Sequence, residues 1–414
     1  MLRKNTEKKT IKRYEKSKLK KEYISKSKKY VANTYERFDL VLELGKGAEL
    51  KDIEGKKYID LGSGIGVNSI GYGNKNWINA VSNQLKTLQH ASNLYYTKPY
   101  IYLAEKLCTI TKYDKVFFCN SGAEANESAI KLARKYSFNK YSNHDNKYKR
   151  NKIVTLKNSF HGRTMAAISA TGQDIFHNFF FPFLEGFSFA EAGNYEDTVE
   201  KLKDNACAVM MELIQGEGGV IPLNKEYVQK VRDYCEKNDI LFIADEVQTG
   251  AGRTGKFLCS EHFGIKPDIT TLAKGLGGGL PIGAMLMNKK CSDVFAKGDH
   301  ASTFGANPAV AAGALEVLNI IDKKLLKEVE KKSKYIKDKL SKLDNIESVD
   351  GIGLMLGIKL KDELNTKAIA EKCISKGVIP LTAKNKIRLL PPLTITYKEL
   401  EKAVSILCEC IENK

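Results

Sequence analysis

The stretch Pro267-Asp268-Ile269-Thr270-Thr271-Leu272-Ala273-Lys274-Gly275-Leu276-Gly277-Gly278-Gly279 constrains this chain more than any other. A strand-forming run ends on one lysine, and four of the next five residues are glycine. The lysine therefore has a short strand behind it and an unusually bare backbone in front. Glycine admits a bulky ligand close to the main chain and permits positive φ. A buried lysine gives up its proton readily, and the free amine is a Schiff-base nucleophile. Taken alone, the segment reads equally well as a strand, a glycine turn and a solvated lysine.

A second run breaks that tie. Ile240-Leu241-Phe242-Ile243-Ala244 has the pattern of a fully buried strand. It delivers Asp245 to its C-terminal end, where open α/β sheets hold ligands. An aspartate there can keep a heteroaromatic ring nitrogen protonated, which turns the ring of pyridoxal phosphate into an electron sink. Gln248, three residues on, can reach a ring hydroxyl. The structural alternative for Asp245 is an N-cap of the next helix. A lysine and an aspartate at the ends of two such strands favour the cofactor.

Two further strand ends carry chemistry. Lys115-Val116-Phe117-Phe118-Cys119 leads into Asn120-Ser121-Gly122-Ala123-Glu124 and then a strong helix-forming stretch. A small-residue turn opening a helix offers free N–H groups and a dipole to a phosphate, here from Gly122 and Ala123. The spacing is not the G-x-G-x-x-G of dinucleotide sites. Lys152-Ile153-Val154-Thr155-Leu156 leads into Ser159-Phe160-His161-Gly162-Arg163-Thr164. Phe160 can stack on a ring, and Arg163 presents a planar fork suited to a carboxylate. Arg388, set in an otherwise apolar segment, is a second arginine that needs a partner. A core aromatic and surface ion pairs are the plainer readings of these residues.

Seven segments together resemble the class-III aminotransferases of fold type I, and within them most of all the acetylornithine enzymes. They are GIGVNS at 64–69, SGAEANE at 121–127, FHGRT at 160–164, IQGEGG at 214–219, DEVQTGAGRTGK at 245–256, TLAKGLGGGLPIGA at 271–284 and STFGANP at 302–308. The match runs from about Tyr30 to the C-terminus. The resemblance implies that Lys274 attaches pyridoxal 5'-phosphate and then acts as the general base, with Asp245 on the ring nitrogen, Gln248 on the ring oxygen and Phe160 on one face. It implies a homodimer with shared active sites, in which Thr303 completes the partner's phosphate site and Ser302 beside it takes part in binding substrate. It implies that Arg163 grips the distal carboxylate of acetylornithine and of 2-oxoglutarate or glutamate. Arg388 then grips the carboxylate next to the reacting carbon, and Glu217 masks Arg388 when the ω-amine substrate binds. The expected reaction gives N-acetyl-L-glutamate 5-semialdehyde and L-glutamate, in arginine biosynthesis. Ornithine, succinylornithine and 4-aminobutyrate enzymes share most of these motifs. A glutamate, Glu49, stands where ornithine enzymes carry a tyrosine, and this weighs against free ornithine. Leu213 stands where relatives commonly have proline.

A chain of 414 residues supports two domains. Helical patterns alternate with short strands from about residue 77 to 290, which predicts a large doubly wound, mixed-sheet α/β domain over 77–295. Residues 30–76 and 296–414 are expected to build a smaller α+β domain, with an amphipathic helix over 324–345. Residues 1–29 hold thirteen Lys or Arg against three Glu, a net +10 of the chain's +18. This basic extension has no h-region, so it is not a secretory signal. Without interleaved aromatics it reads as a solvated, partly helical or disordered arm rather than a nucleic-acid tail. No apolar run is long enough to predict a membrane span. Nine scattered cysteines without C-x-x-C spacing argue for a reducing, cytoplasmic setting and against zinc or another metal.

Overall fold

The computed structural model describes residues 2–142, 150–361 and 363–412, with the backbone alone over 2–14. The four strand runs singled out above form as Lys115–Cys119, Lys152–Leu156, Leu241–Asp245 and Ile269–Leu272, all in one seven-stranded sheet. Across that sheet the order is Lys115–Cys119, Gly283–Met287, Ile269–Leu272, Leu241–Asp245, Ala206–Met211, Lys152–Leu156 and Phe187–Ala190. Only Gly283–Met287 runs antiparallel to its neighbours. The remaining pairs are parallel. The expected mixed, doubly wound sheet is present.

Alternation along each strand decides what covers each face. On Ala206–Met211, Val209 and Met211 join a core with Val228 and Val231 of helix Lys225–Lys237. Ala208 and Met210 point the other way, to Leu132 and Ala133 of helix Gly122–Tyr141. Leu241–Asp245 repeats the division, with Phe242 and Ala244 on the first side and Leu241 and Ile243 on the second. Burying such side chains contributes about 1.5–3 kcal/mol each. Both faces of the central strands are thus committed, and the residues at their ends are held in fixed places.

Leu42–Lys46, Glu49–Asp52, Lys57–Asp60 and Val378–Ile379 form a second sheet, which joins the two ends of the chain through parallel pairing of Val378 with Ile59. Ile346–Ile352, Met355–Leu360, Lys386–Leu389 and Leu381–Ala383 form a third, and it carries Arg388. Helix Pro308–Ile320 packs on helices Lys75–Thr87 and Lys98–Thr111, so one apolar core includes Leu103, Leu286, Val310 and Leu400. The amphipathic helix predicted over 324–345 spans Lys323–Leu340, with Asp322 accepting from the Leu325 amide at 2.7 Å as its N-cap.

The basic extension is one helix, Leu2–Tyr30. It has no apolar stripe, and its described side chains are mostly exposed. Lys20 reaches Glu54 at 3.0 Å, and Lys26 pairs with Glu22 one turn away.

Candidate active site

Asp245 ends a strand buried along its whole length and is itself 4% exposed. Three donors fix its carboxylate. Asn126 Nδ2 and His161 Nδ1 both lie 2.7 Å from Oδ2, and the Val247 amide donates to Oδ1 at 3.0 Å. An ionised carboxylate only accepts, so Nδ1 of His161 carries the proton. Asn126 is held in turn, since its Oδ1 accepts from Thr271 Oγ1 at 2.7 Å and its Nδ2 also donates to the His161 carbonyl. Oδ1 of Asp245 retains a lone pair for a protonated ring nitrogen in the adjoining cavity.

Lys274 follows strand Ile269–Leu272 and opens a single 3₁₀ turn, Lys274–Leu276, at φ +42°. Burial pulls its ammonium below the ordinary lysine range, while Asp245 and Glu217 pull it back up. The glycines after it are there for space. A Cβ at Gly277 would sit 2.0 Å from the Leu280 carbonyl oxygen, and one at Gly278, itself at φ +59°, would sit 2.7 Å from Val317.

At the other end of the cavity, Ser121 caps helix Gly122–Tyr141 by accepting from the Glu124 amide at 3.2 Å. The first helical bond is made by Ala125 N to Ser121 O, which leaves the amides of Gly122 and Ala123 for a ligand. A Cβ at Gly122 would meet Val247 at 2.6 Å, so this turn and the segment after Asp245 are in contact. Gly122, Ala123, Phe160, Asp245, Gln248 and Lys274 line one cavity of about 530 Å³, with Arg163 at its side. The cofactor implied by the motifs fits it: an acidic group for a ring nitrogen, an amine of lowered basicity and a helix N-terminus for phosphate. Among the described residues no cluster of three or more His, Cys, Asp or Glu is arranged for a metal ion. A larger groove of about 1070 Å³ is lined by Lys20, by residues of the segments 36–40 and 52–58, and by helix Thr366–Ser375. Two ion pairs lie in its lining, Lys20 with Glu54 and Lys367 with Glu36.

The two arginines are placed differently. Arg163 is exposed, with its guanidinium 4.6 Å from the Phe176 ring and 5.8 Å from the Phe160 ring. Arg388 is 3% exposed, and its Nη1 lies 2.7 Å from Glu217 Oε1 and 3.4 Å from Gln248 Oε1. The pair stands one side chain behind the cavity wall, because Gln248 lines the cavity and touches Arg388. Ser302 and Thr303 do not line the cavity of their own chain. The Ser302 hydroxyl accepts from Asn120 Nδ2 at 3.1 Å, and Thr303 is exposed beside Phe304. Glu49 pairs with Lys57 across the second sheet at 2.6 Å.

Three further residues belong to this site. Asn126 and His161 lie inside quoted motifs, but their bonds to Asp245 span 119 and 84 residues. Glu212, 6% exposed, accepts from the Phe160 amide at 2.8 Å and the Gly216 amide at 3.0 Å. Burial first, and then the charge of Asp245, push its carboxyl up to about 7. The only sequence signal for Glu212 is an acid directly after an uninterrupted apolar strand.

The family model described as aminotransferase class-III matches residues 30–411. Acetylornithine aminotransferase of Haemophilus ducreyi is 47% identical over 385 residues, covering 93% of this chain and 97% of its own. The enzyme of the same name from Caldanaerobacter subterraneus subsp. tengcongensis is 46% identical, covering 94% and 99%. Among solved structures, the ornithine aminotransferase of Toxoplasma gondii superposes with a TM-score of 0.90 at 31% identity, covering 95% of this chain and 94% of that one. The N-acetylornithine aminotransferase of Stenotrophomonas maltophilia gives a TM-score of 0.80 at 33% identity, covering 94% and 98%. With its motifs in order, its sheet in this topology and its lysine and aspartate facing one cavity, this chain belongs to the class-III aminotransferases, a family dependent on pyridoxal phosphate.

Proposed function

We propose that this chain transfers the ω-amino group of N2-acetyl-L-ornithine to 2-oxoglutarate, giving N-acetyl-L-glutamate 5-semialdehyde and L-glutamate, as a step of arginine biosynthesis in the cytoplasm. The observation that carries the reading is the ion pair of buried Arg388 with half-buried Glu217, behind Gln248. Acetylornithine brings an amine-bearing carbon with no carboxylate attached, so a free cation beside that carbon would be left unpaired. 2-Oxoglutarate brings a carboxylate at the same place and needs the cation. A masking carboxylate that can yield serves both. The names of the relatives support the acetyl group, at 46–47% identity over nearly the whole chain.

Pyridoxal phosphate, when bound, supplies a carbonyl that takes up the amine and a ring that draws electrons from the adjacent carbon. The chain's residues do the rest. Lys274 holds the cofactor and, once released, moves the proton off the substrate's amine-bearing carbon. Asp245, oriented by Asn126 and His161, keeps the ring nitrogen protonated. Phe160 covers a ring face, Gln248 supports the ring oxygen, and the amides of Gly122 and Ala123 take the phosphate. Arg163 takes the distal carboxylate of either substrate.

A homodimer completes the site in this reading. Thr303, outside its own cavity, reaches the partner's phosphate site, with Ser302 next to it. Exposed Leu94, Tyr96 and Phe179, each more than four-fifths accessible, supply apolar surface for such a contact.

The ornithine aminotransferase of Toxoplasma gondii superposes more closely than the acetylornithine enzyme of Stenotrophomonas, and this favours free ornithine as the second reading. A substrate panel with 2-oxoglutarate decides: acetylornithine, succinylornithine, ornithine, 4-aminobutyrate and a control without acceptor. Acetylornithine should give the highest kcat/KM. A preference for ornithine of tenfold or more would replace the proposal with that second reading.

A further inference from the structure

Glu212 follows the buried strand Ala206–Met211, so its carboxyl is anchored to the sheet. Each of its oxygens holds one main-chain amide. Oε1 takes that of Phe160, the residue facing the ring, and Oε2 takes that of Gly216, one peptide before Glu217. Gly216 is closely packed, since a Cβ there would lie 2.7 Å from the Gln248 amide. Its carbonyl oxygen is 3.5 Å from Arg388 Nη1.

We infer that Glu212 is a positioning residue, which sets the Glu217–Arg388 gate and the ring-facing Phe160 together by holding both loops on one buried carboxylate. The inference rests on the gate described under the proposed function. Amide-to-carboxylate bonds are charge-assisted, and a buried amide that loses its acceptor is left unpaired. Among residues of this length only a carboxylate accepts from two loops at once. Glutamine would offer one oxygen to one loop and a donor to the other. The site is otherwise unfavourable for an anion, because burial and the charge of Asp245 both oppose ionisation.

The test is Glu212→Gln, with Glu212→Asp as a second variant that keeps the charge but is too short to reach both loops. In the apoprotein, hydrogen exchange should speed up about tenfold in peptides covering 157–163 and 213–218 alike. In the holoenzyme, the acetylornithine half-reaction should lose about tenfold more kcat/KM than the glutamate half-reaction, the direction expected of Glu217→Ala, which leaves Arg388 unmasked. Added to Glu217→Ala, the substitution should change that ratio by less than about threefold, because both act on one gate. Faster exchange in only one peptide, or equal loss in both half-reactions, would overturn the inference. If Glu212→Gln fails to fold, Glu212→Asp is read by the same measures. If the chain does not use acetylornithine at all, the proposed substrate falls, while exchange at 213–218 still decides the role of Glu212.

Discussion

At the cavity floor, three donors converge on the single carboxylate of Asp245, and the next residue, Glu246, buried outside the cavity lining, accepts from the amides of Cys259 and Ser260. In the basic arm, residues 1–29 hold thirteen cations against three acids on a helix whose described side chains stand mostly in solvent. The two regions treat charge in opposite ways because burial makes an unpaired charge costly, while water and salt make it cheap. The floor tolerates no change without consequence for chemistry or stability. The arm should tolerate its own removal.

The sharpest way to break that contrast is at Lys274. Lys274→Ala should lose the covalently held cofactor and almost all turnover, and borohydride should no longer fix the cofactor to the chain. Fixation at another single lysine would move the chemistry elsewhere.

Arg388 and Arg163 come next, because the buried cation should act selectively and the exposed one generally. Arg388→Ala should spare amino-group uptake from acetylornithine and impair its return to 2-oxoglutarate, by about 2–4 kcal/mol in kcat/KM. Arg163→Ala should impair both. Single-turnover spectra of each half-reaction separate the two. Equal damage to both halves in Arg388→Ala, with cofactor bound, would remove the gate.

Glu246 tests the cost of buried charge through stability. Burial raises its carboxyl to about 7 in the fold, against 4.5 ordinarily. The folded state therefore binds the proton more tightly. The resulting stabilisation is complete below about pH 4.5 and is lost as pH rises through about 7, on the order of 3 kcal/mol in all. Glu246→Gln removes the titration, so its Tm should rise relative to the parent between pH 5 and pH 8. A difference that stays flat with pH would mean that the carboxylate is better solvated than its place in the fold implies.

The smallest effect is expected at the arm. A chain starting near Lys28 should keep kcat and KM within about twofold, a change under ~0.5 kcal/mol. Loss of activity in a folded truncation would show that exposed charge matters here as buried charge does.

The same contrast explains what could be read without a structure. Strand ends at Cys119, Leu156, Asp245 and Leu272 were legible because an apolar run, its terminal residue and the turn after it are all local signals. The gate was legible only through resemblance, since nothing near Arg388 in sequence points to Glu217, 171 residues away. The roles of Asn126, His161 and Glu212 leave no such local signal, because each residue has a partner, Asp245 or Phe160, that only the fold brings near. The arm has too little apolar pattern to fix the extent of a helix expected there only in part, since that helix rests on backbone propensity and counter-charge rather than on a buried face.

Lys274 occupies a left-handed backbone, at φ +42°, that L-residues adopt at a cost of order 1–3 kcal/mol. Glycine would sit there without strain and bring no amine. Selection for a more robust fold and selection for turnover therefore pull this one position in opposite directions. Any thermostable descendant of this chain must find its extra stability at other positions and leave that local strain in place.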